Sequence, residues 1–285
     1  MRRLASLLAA SALTLAIVVP AAAAPAASAD RAVHYYLSLG DSLAAGYQPT
    51  GDPADMFRTD EGYADQLYEM ARSHFPKLRH VKLGCPGEST ATFIAGGICD
   101  FEYGSQLAQA VEFLHAHHAF VSFVTIDLGW NDFPCQTSED CIPPGAASIA
   151  ANLPGILAAL REAAGPEVPI IGGTIYDPFL PVWLQGTEAA RDFAVRSVAA
   201  VTAVNDLEEG IYGAFGMPVA DVEGAFQTTV WDPVPVDWYP VPVPTNVLAV
   251  CGLTWICSVD HPGDFHANAT GYGVMALAFR AQLGF

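Results

Sequence analysis

Apolar and polar positions fall in blocks along this chain, and the period changes from block to block. Short apolar runs of strand length lie at Val33–Leu39, His80–Leu83, Phe120–Leu128, Val168–Tyr176 and Met217–Val222. Between them the apolar positions recur at helical spacing. Gly62–Phe75 carries Tyr63, Leu67, Met70, Ala71 and His74 near one face, and Ser105–His117 groups Leu107, Ala110, Val111 and Leu114. Further helices are predicted over Ala146–Ala164, Thr187–Glu209 and Gly271–Leu283. The first of these is expected to kink or split at Pro154, because proline removes a hydrogen bond and crowds the preceding turn. Strands that alternate with helices predict an α/β fold with a central parallel sheet of about five strands and helices on both faces. Neither a repeat nor a long linker interrupts the pattern.

In such sheets ligands bind beyond the carboxyl ends of the strands. Ser42 follows the first predicted strand, Gly84–Gly87 the second, and Gly129–Asp132 the third. Three polar clusters are therefore expected at one edge. The stretch Trp231–Asn246 departs from the pattern, with five prolines that forbid a regular helix or an inner strand. It reads as an extended surface loop, partly polyproline II, flanking the pocket. A docking site for a partner is the competing reading.

The amino-terminal pattern changes the picture of what folds. Met1-Arg2-Arg3 is basic, Leu4–Val19 is small or apolar, and small residues prepare a cleavage near Ala29. This is the pattern of a secretory signal peptide over residues 1–29, leaving one domain over 30–285. An uncleaved anchor is the alternative, although the apolar run is short for a bilayer. The paired arginine lacks a fuller twin-arginine context, so the general export route is expected. The formal net charge of −18 disfavours nucleic acid and anionic membranes as partners. Six cysteines in an exported chain suggest disulfides. They fall into three local couples, Cys85–Cys99, Cys135–Cys141 and Cys251–Cys257, and this pairing is expected. A metal site is the competing use, but the spacings do not suit CxxC pairs.

A serine attacks an acyl carbon only with a base to take its proton and donors for the developing oxyanion. Alone, Gly40-Asp41-Ser42 is as well explained by a helix N-cap. Leu83–Thr90, "LGCPGEST", is a glycine-rich turn that can present a bare backbone N–H. Leu128–Phe133, "LGWNDF", sets the Asn131 amide just past a buried strand, where an Asx-turn is the bland alternative. Gly263–Tyr272, "GDFHANATGY", offers Asp264 and His266 ahead of the last helix.

Together these four blocks resemble the GDSL family of serine esterases and lipases and its SGNH hydrolase branch. They match in order as Gly40-Asp41-Ser42-Leu43; Gly87; Gly129, Asn131 and Asp132; and Asp264, His266, Asn268, Gly271 and Tyr272. The stretch "LGCPGEST…GSQLAQAVEFL" looks like exported actinobacterial members. The resemblance implies a three-layer flavodoxin-like fold with Ser42 as nucleophile and His266 as base. It assigns the oxyanion donors to the Ser42 N–H, the Gly87 N–H and the Asn131 side chain. Many members place the acid three residues before the histidine and follow it with proline. Here residue 263 is Gly, Asp264 lies two before His266, and Ala267 replaces the proline. In extended chain, residues i and i+2 point to one side, so Asp264 is expected to reach the ring. A backbone carbonyl, or Asp264 as a helix-start charge, is the alternative.

Other residues draw attention without changing that assignment. Asp260-His261-Pro262 imitates the last block but lacks its Asn and Gly-Tyr. His115, His117 and His118 close a predicted helix, where histidines interact favourably with the dipole, rather than forming a metal site. Asp127 and Asp132 are expected to hold turns, and Trp130 either lines the acyl pocket or packs behind it. The expected protein is a secreted, monomeric carboxylic ester hydrolase without metal or cofactor, acting on a small-molecule or lipid ester. A carbohydrate O-acetyl esterase or an acyltransferase on the same fold is the alternative, and a non-catalytic binding protein is the reading from another class. Tyr176–Leu184 and the proline-rich loop hint at an apolar rim.

Overall fold

The computed structural model describes residues 33–134 and 141–285. The predicted signal segment and Cys135, hence the expected Cys135–Cys141 bridge, lie outside the described residues. Strand β1 spans His34–Gly40, α1 Tyr63–Ala71, β2 Leu78–Lys82, α2 Thr90–Ala95, α3 Gln106–His117 and β3 Val121–Asp127. Helix α4 spans Ile142–Ala164, β4 Ile170–Gly173, α5 Glu188–Ala214, β5 Val219–Ala220 and the short α6 Val222–Ala225. A two-stranded hairpin, β6 (Pro233–Val234) and β7 (Val243–Pro244), leads into α7 (Thr245–Leu253), and α8 (Ala269–Ala281) closes the fold. The five-stranded sheet has the order β2-β1-β3-β4-β5, and all its neighbours run parallel. That is the flavodoxin-like order, whose crevice opens where β1 and β3 send their connections to opposite faces.

The strand period separates two cores. Tyr36 and Phe123 face one side with Leu67 of α1, Val250 of α7 and Phe279 of α8. Leu37, Leu39, Val124 and Ile126 face the other, with Leu114 of α3 and the apolar face of α4. Within the first set, the buried Tyr36 hydroxyl is bonded to Thr125 Oγ1 at 2.8 Å.

Helix α4 is not split at Pro154, which lies inside one continuous helix. Ile149 and Leu153 before it and Ile156, Leu157 and Leu160 after it belong to the same core. Each fully buried aliphatic side chain contributes about 1.5–3 kcal/mol. The face as a whole therefore outweighs the roughly 3 kcal/mol that an interior proline costs. Helices α2 and α7 were not anticipated. Six residues are too few to show a period, and α7 is apolar with little polar face to mark it. The proline-rich stretch is exposed at Val234, Trp238 and Val241, as expected of a surface loop. It also holds the β6–β7 hairpin, which sequence alone did not show.

Candidate active site

Ser42 is presented by the turn that ends β1. Gly40 makes this turn with φ of 131°, and a Cβ there would stand 2.0 Å from the Asp127 carbonyl oxygen on β3. Only glycine lets the two strand ends approach so closely. Gln106, buried at the start of α3, pins the turn from behind. Its Oε1 accepts from the Gly40 N–H at 2.7 Å, and its Nε2 donates to the Gly40 carbonyl at 2.9 Å. The role of Gln106 was not legible in the sequence, because it depends on a contact 66 residues away.

His266 comes to Ser42 from the other end of the chain. Its Nε2 lies 2.9 Å from Ser42 Oγ. Its Nδ1 lies 2.8 Å from Asp264 Oδ1, which also accepts from the His266 backbone N–H at 2.9 Å. The network assigns the ring proton to Nδ1, leaving the Nε2 lone pair for the serine hydroxyl. Partial burial works to raise the Asp264 pKa, but the hydrogen bonds from His266 outweigh it and the net shift is downward. The carboxylate is thus held ionised. His261 instead packs edge-on against Trp255, with centroids 5.3 Å apart. The segment carrying His266 is anchored by its own carbonyl, which accepts from the Trp255 N–H at 3.0 Å, and by a bridge between Thr254 and Ala267. The Cys251–Cys257 disulfide closes the adjoining loop. Asn268 caps α8 by accepting from the Thr270 and Gly271 N–H groups.

The expected oxyanion donors lie after β1, β2 and β3. Gly87 adopts φ of 87°, a conformation that suits glycine, in a loop tied by the Cys85–Cys99 disulfide. Among the described residues, neither the Ser42 N–H nor the Gly87 N–H has an acceptor. Asn131 lies on the single 3-10 turn after β3. Its Nδ2 donates to Asp41 Oδ2 at 3.1 Å and to the Glu88 carbonyl at 3.0 Å. Asp41 Oδ1 also accepts from the Leu43 N–H at 2.9 Å. Burial pushes the Asp41 and Asp127 carboxyls upward; for Asp127 the neighbouring Asp41 charge adds to it. Asp132 accepts from the Thr90 N–H and hydroxyl and from Ser148 Oγ, tying the Asn131 turn to α2 and α4. Asp127 accepts from the Tyr63 hydroxyl at 3.0 Å.

Leu43, Trp130, Ile175, Pro178 and Phe265 surround a narrow cavity beside Ser42 and His266, with about 20 Å³ free. Trp130 therefore lines the pocket, packed against Phe179 and Phe265. Tyr176 and Pro178 from the predicted rim also reach it, whereas no residue of 231–246 does. The expectation that the proline-rich loop flanks this pocket is corrected: Tyr239 bonds the Leu184 carbonyl and packs on Trp183 instead. A larger polar hollow of about 730 Å³, lined by Arg58, Lys82, Asp100 and Glu102, contains neither Ser42 nor His266. Among the described residues, no group of three or more His, Cys, Asp or Glu side chains converges as a metal-binding set. His117 packs on Tyr35 and Phe113.

The model of the GDSL-like Lipase/Acylhydrolase family matches residues 38–274. No curated protein matches the sequence. Among solved structures, an acetylxylan esterase from Geobacillus stearothermophilus aligns at 17% identity and TM-score 0.53, covering 88% of this chain and 94% of that one. A point variant of the same enzyme gives 16% identity and TM-score 0.52 over 88% and 95%. A phospholipase A1 from Streptomyces albidoflavus aligns at 16% identity and TM-score 0.49 over 88% and 100%. At such identities the likeness to the acetylxylan esterase concerns the fold.

Proposed function

The chain belongs to the GDSL-like lipase/acylhydrolase family, and from that premise we propose that Ser42, His266 and Asp264 hydrolyse a carboxylic ester with a small acyl group. The observation that carries the assignment is the continuous chain from Ser42 Oγ through both ring nitrogens of His266 to Asp264 Oδ1. Ser42 Oγ attacks the ester carbonyl as its proton passes to His266 Nε2. Asp264 keeps the ring in the right tautomer and faces the imidazolium that forms. The Ser42 and Gly87 N–H groups, without acceptors at rest, receive the oxyanion, and the Asn131 amide joins them. Collapse of the tetrahedral intermediate breaks the ester bond, and His266 returns its proton to the leaving alcohol. Water, deprotonated by His266, then releases the acid from Ser42.

The narrow cavity supports a short acyl group, acetyl above all, since its free volume suits about one or two waters. Acetyl esters of carbohydrates and short alkyl esters both fit that chemistry. The amino-terminal pattern and the local disulfides support export with cleavage near Ala29, in an oxidising compartment.

The test is turnover of nitrophenyl esters graded in acyl length. Ser42→Ala and His266→Ala are expected to lower kcat by at least about 1,000-fold, with wild-type activity highest on the acetyl ester. Full activity in Ser42→Ala removes the assignment, and preference for long chains removes the small-acyl reading.

A further inference from the structure

Tyr47 lies five residues after Ser42 and takes no part in the mechanism above. Its ring nonetheless stacks on the imidazole of His266, with centroids 3.8 Å apart and planes 24° from parallel. Phe265, the other ring beside His266 among the described residues, stands farther off at 4.7 Å. Tyr47 is held at its backbone and at its ring. Its N–H donates to the Ser42 carbonyl at 2.9 Å, and its own carbonyl accepts from the buried Tyr272 hydroxyl at 2.8 Å. Phe57 packs against its ring at 5.3 Å. The next residue, Gln48, accepts from the Trp255 indole N–H, and Trp255 in turn donates to the His266 carbonyl. Residue 47 is therefore braced against the nucleophile's turn and against the loop that carries the base.

Two physical consequences follow from that placement. The imidazole must stay in one plane for Nδ1 to face Asp264 while Nε2 faces Ser42, and a stacked ring blocks rotation out of that plane. The imidazole is also neutral at rest and cationic once it has taken the serine proton. An aromatic face attracts a cation more than a neutral ring, so the stack strengthens as the transition state forms. We propose that Tyr47 is a positioning residue for His266, holding the imidazole plane and stabilising the imidazolium that forms when the Ser42 proton reaches Nε2. The inference rests on the esterase reading given above. The phenol adds a lesser contact: burial, then the Asp264 charge, push its pKa up, which keeps it neutral beside that carboxylate.

The experiment replaces the ring in stages and follows kcat, KM and the thermal midpoint on a soluble acetyl ester. Tyr47→Phe keeps the stack and is expected to hold kcat within about 3-fold of wild type, whereas Tyr47→Leu removes the π face and lowers kcat on the order of 10-fold with KM nearly unchanged. Phenylalanines bearing one, two and three ring fluorines at position 47 keep the shape while weakening the negative face. Their kcat is expected to fall stepwise with thermal midpoints held, and this series stays informative where Tyr47→Leu fails to fold. A flat fluorine series, an effect confined to KM, or Tyr47→Phe as damaged as Tyr47→Leu overturns the proposal. Each of those outcomes, in a protein whose Ser42→Ala variant is inactive, leaves the esterase reading standing. Full turnover by Ser42→Ala removes that reading itself.

Discussion

A single missing methyl group governs how Ser42 meets its surroundings. Gly40 sits where a Cβ would be driven into the Asp127 backbone, at a φ that other residues rarely adopt. Gly40→Ala is therefore expected to cost more than about 3 kcal/mol, through overpacking and backbone strain together. Urea denaturation measures it, and a loss below about 1 kcal/mol would show that the strand ends part easily. The motif that holds Gly40 was legible, because it sits in a few consecutive residues. The partners of the turn were not. Gln106 and Tyr47 look like an ordinary helix-start residue and an ordinary aromatic until the fold brings them to Gly40 and His266. Asp264 lay between these cases: its spacing to His266 suggested the contact, and the structure puts the two side chains at 2.8 Å.

Elements were legible where burial imposed a clear period and illegible where packing overrode local preference. Helix α4 shows the second case most plainly, because a proline expected to kink or split it lies inside a continuous helix. Its cost is still being borne by the leucines and isoleucines around it. Pro154→Ala is expected to stabilise the fold by roughly 1–2 kcal/mol, within the roughly 3 kcal/mol that an interior proline costs. A rise in the urea midpoint at unchanged slope is the expected result. A fall would mean that the proline ring's own packing exceeds the hydrogen bond it forfeits. The short elements β4 and β5 were overestimated in length from their apolar runs. The residues beyond Gly173 continue apolar because they line the pocket rather than the sheet, as Ile175 and Tyr176 do.

The whole molecule carries several buried acids, and they give its stability a direction with pH. Burial pushes the Asp177 carboxyl from 3.8 up to about 6, even though it accepts hydrogen bonds from Ser197 and from the Phe179 N–H. A carboxyl whose folded pKa stands above its unfolded one binds its proton more tightly when folded. It stabilises the fold at low pH and loses that contribution as pH rises from about 4 through about 6. Asp264, whose pKa is lowered, acts in the opposite sense at more acidic pH. The thermal midpoint of Asp177→Asn is therefore expected to fall less steeply between pH 4 and 7 than that of the wild type. Parallel slopes in the two proteins would remove Asp177 from the account. The parallel sheet and the convergence of three polar turns on one edge were legible in the alternation of strands and helices. The acids beneath them were not, since a charged letter in a sequence gives no depth.

The Asn131 amide has a consequence for when its help is given. Both of its hydrogens are occupied at rest, by the Asp41 carboxylate and by the Glu88 carbonyl. An arriving ester carbonyl, uncharged, is a weaker acceptor than Asp41 and has little power to turn the amide away. The tetrahedral oxyanion carries a full charge and competes on equal terms. In the proposed mechanism two donors greet the substrate and the third is recruited only at the summit of the barrier. Asp41 thereby acts as a rival that keeps Asn131 from tightening the ground state, and the lost ground-state affinity appears as speed.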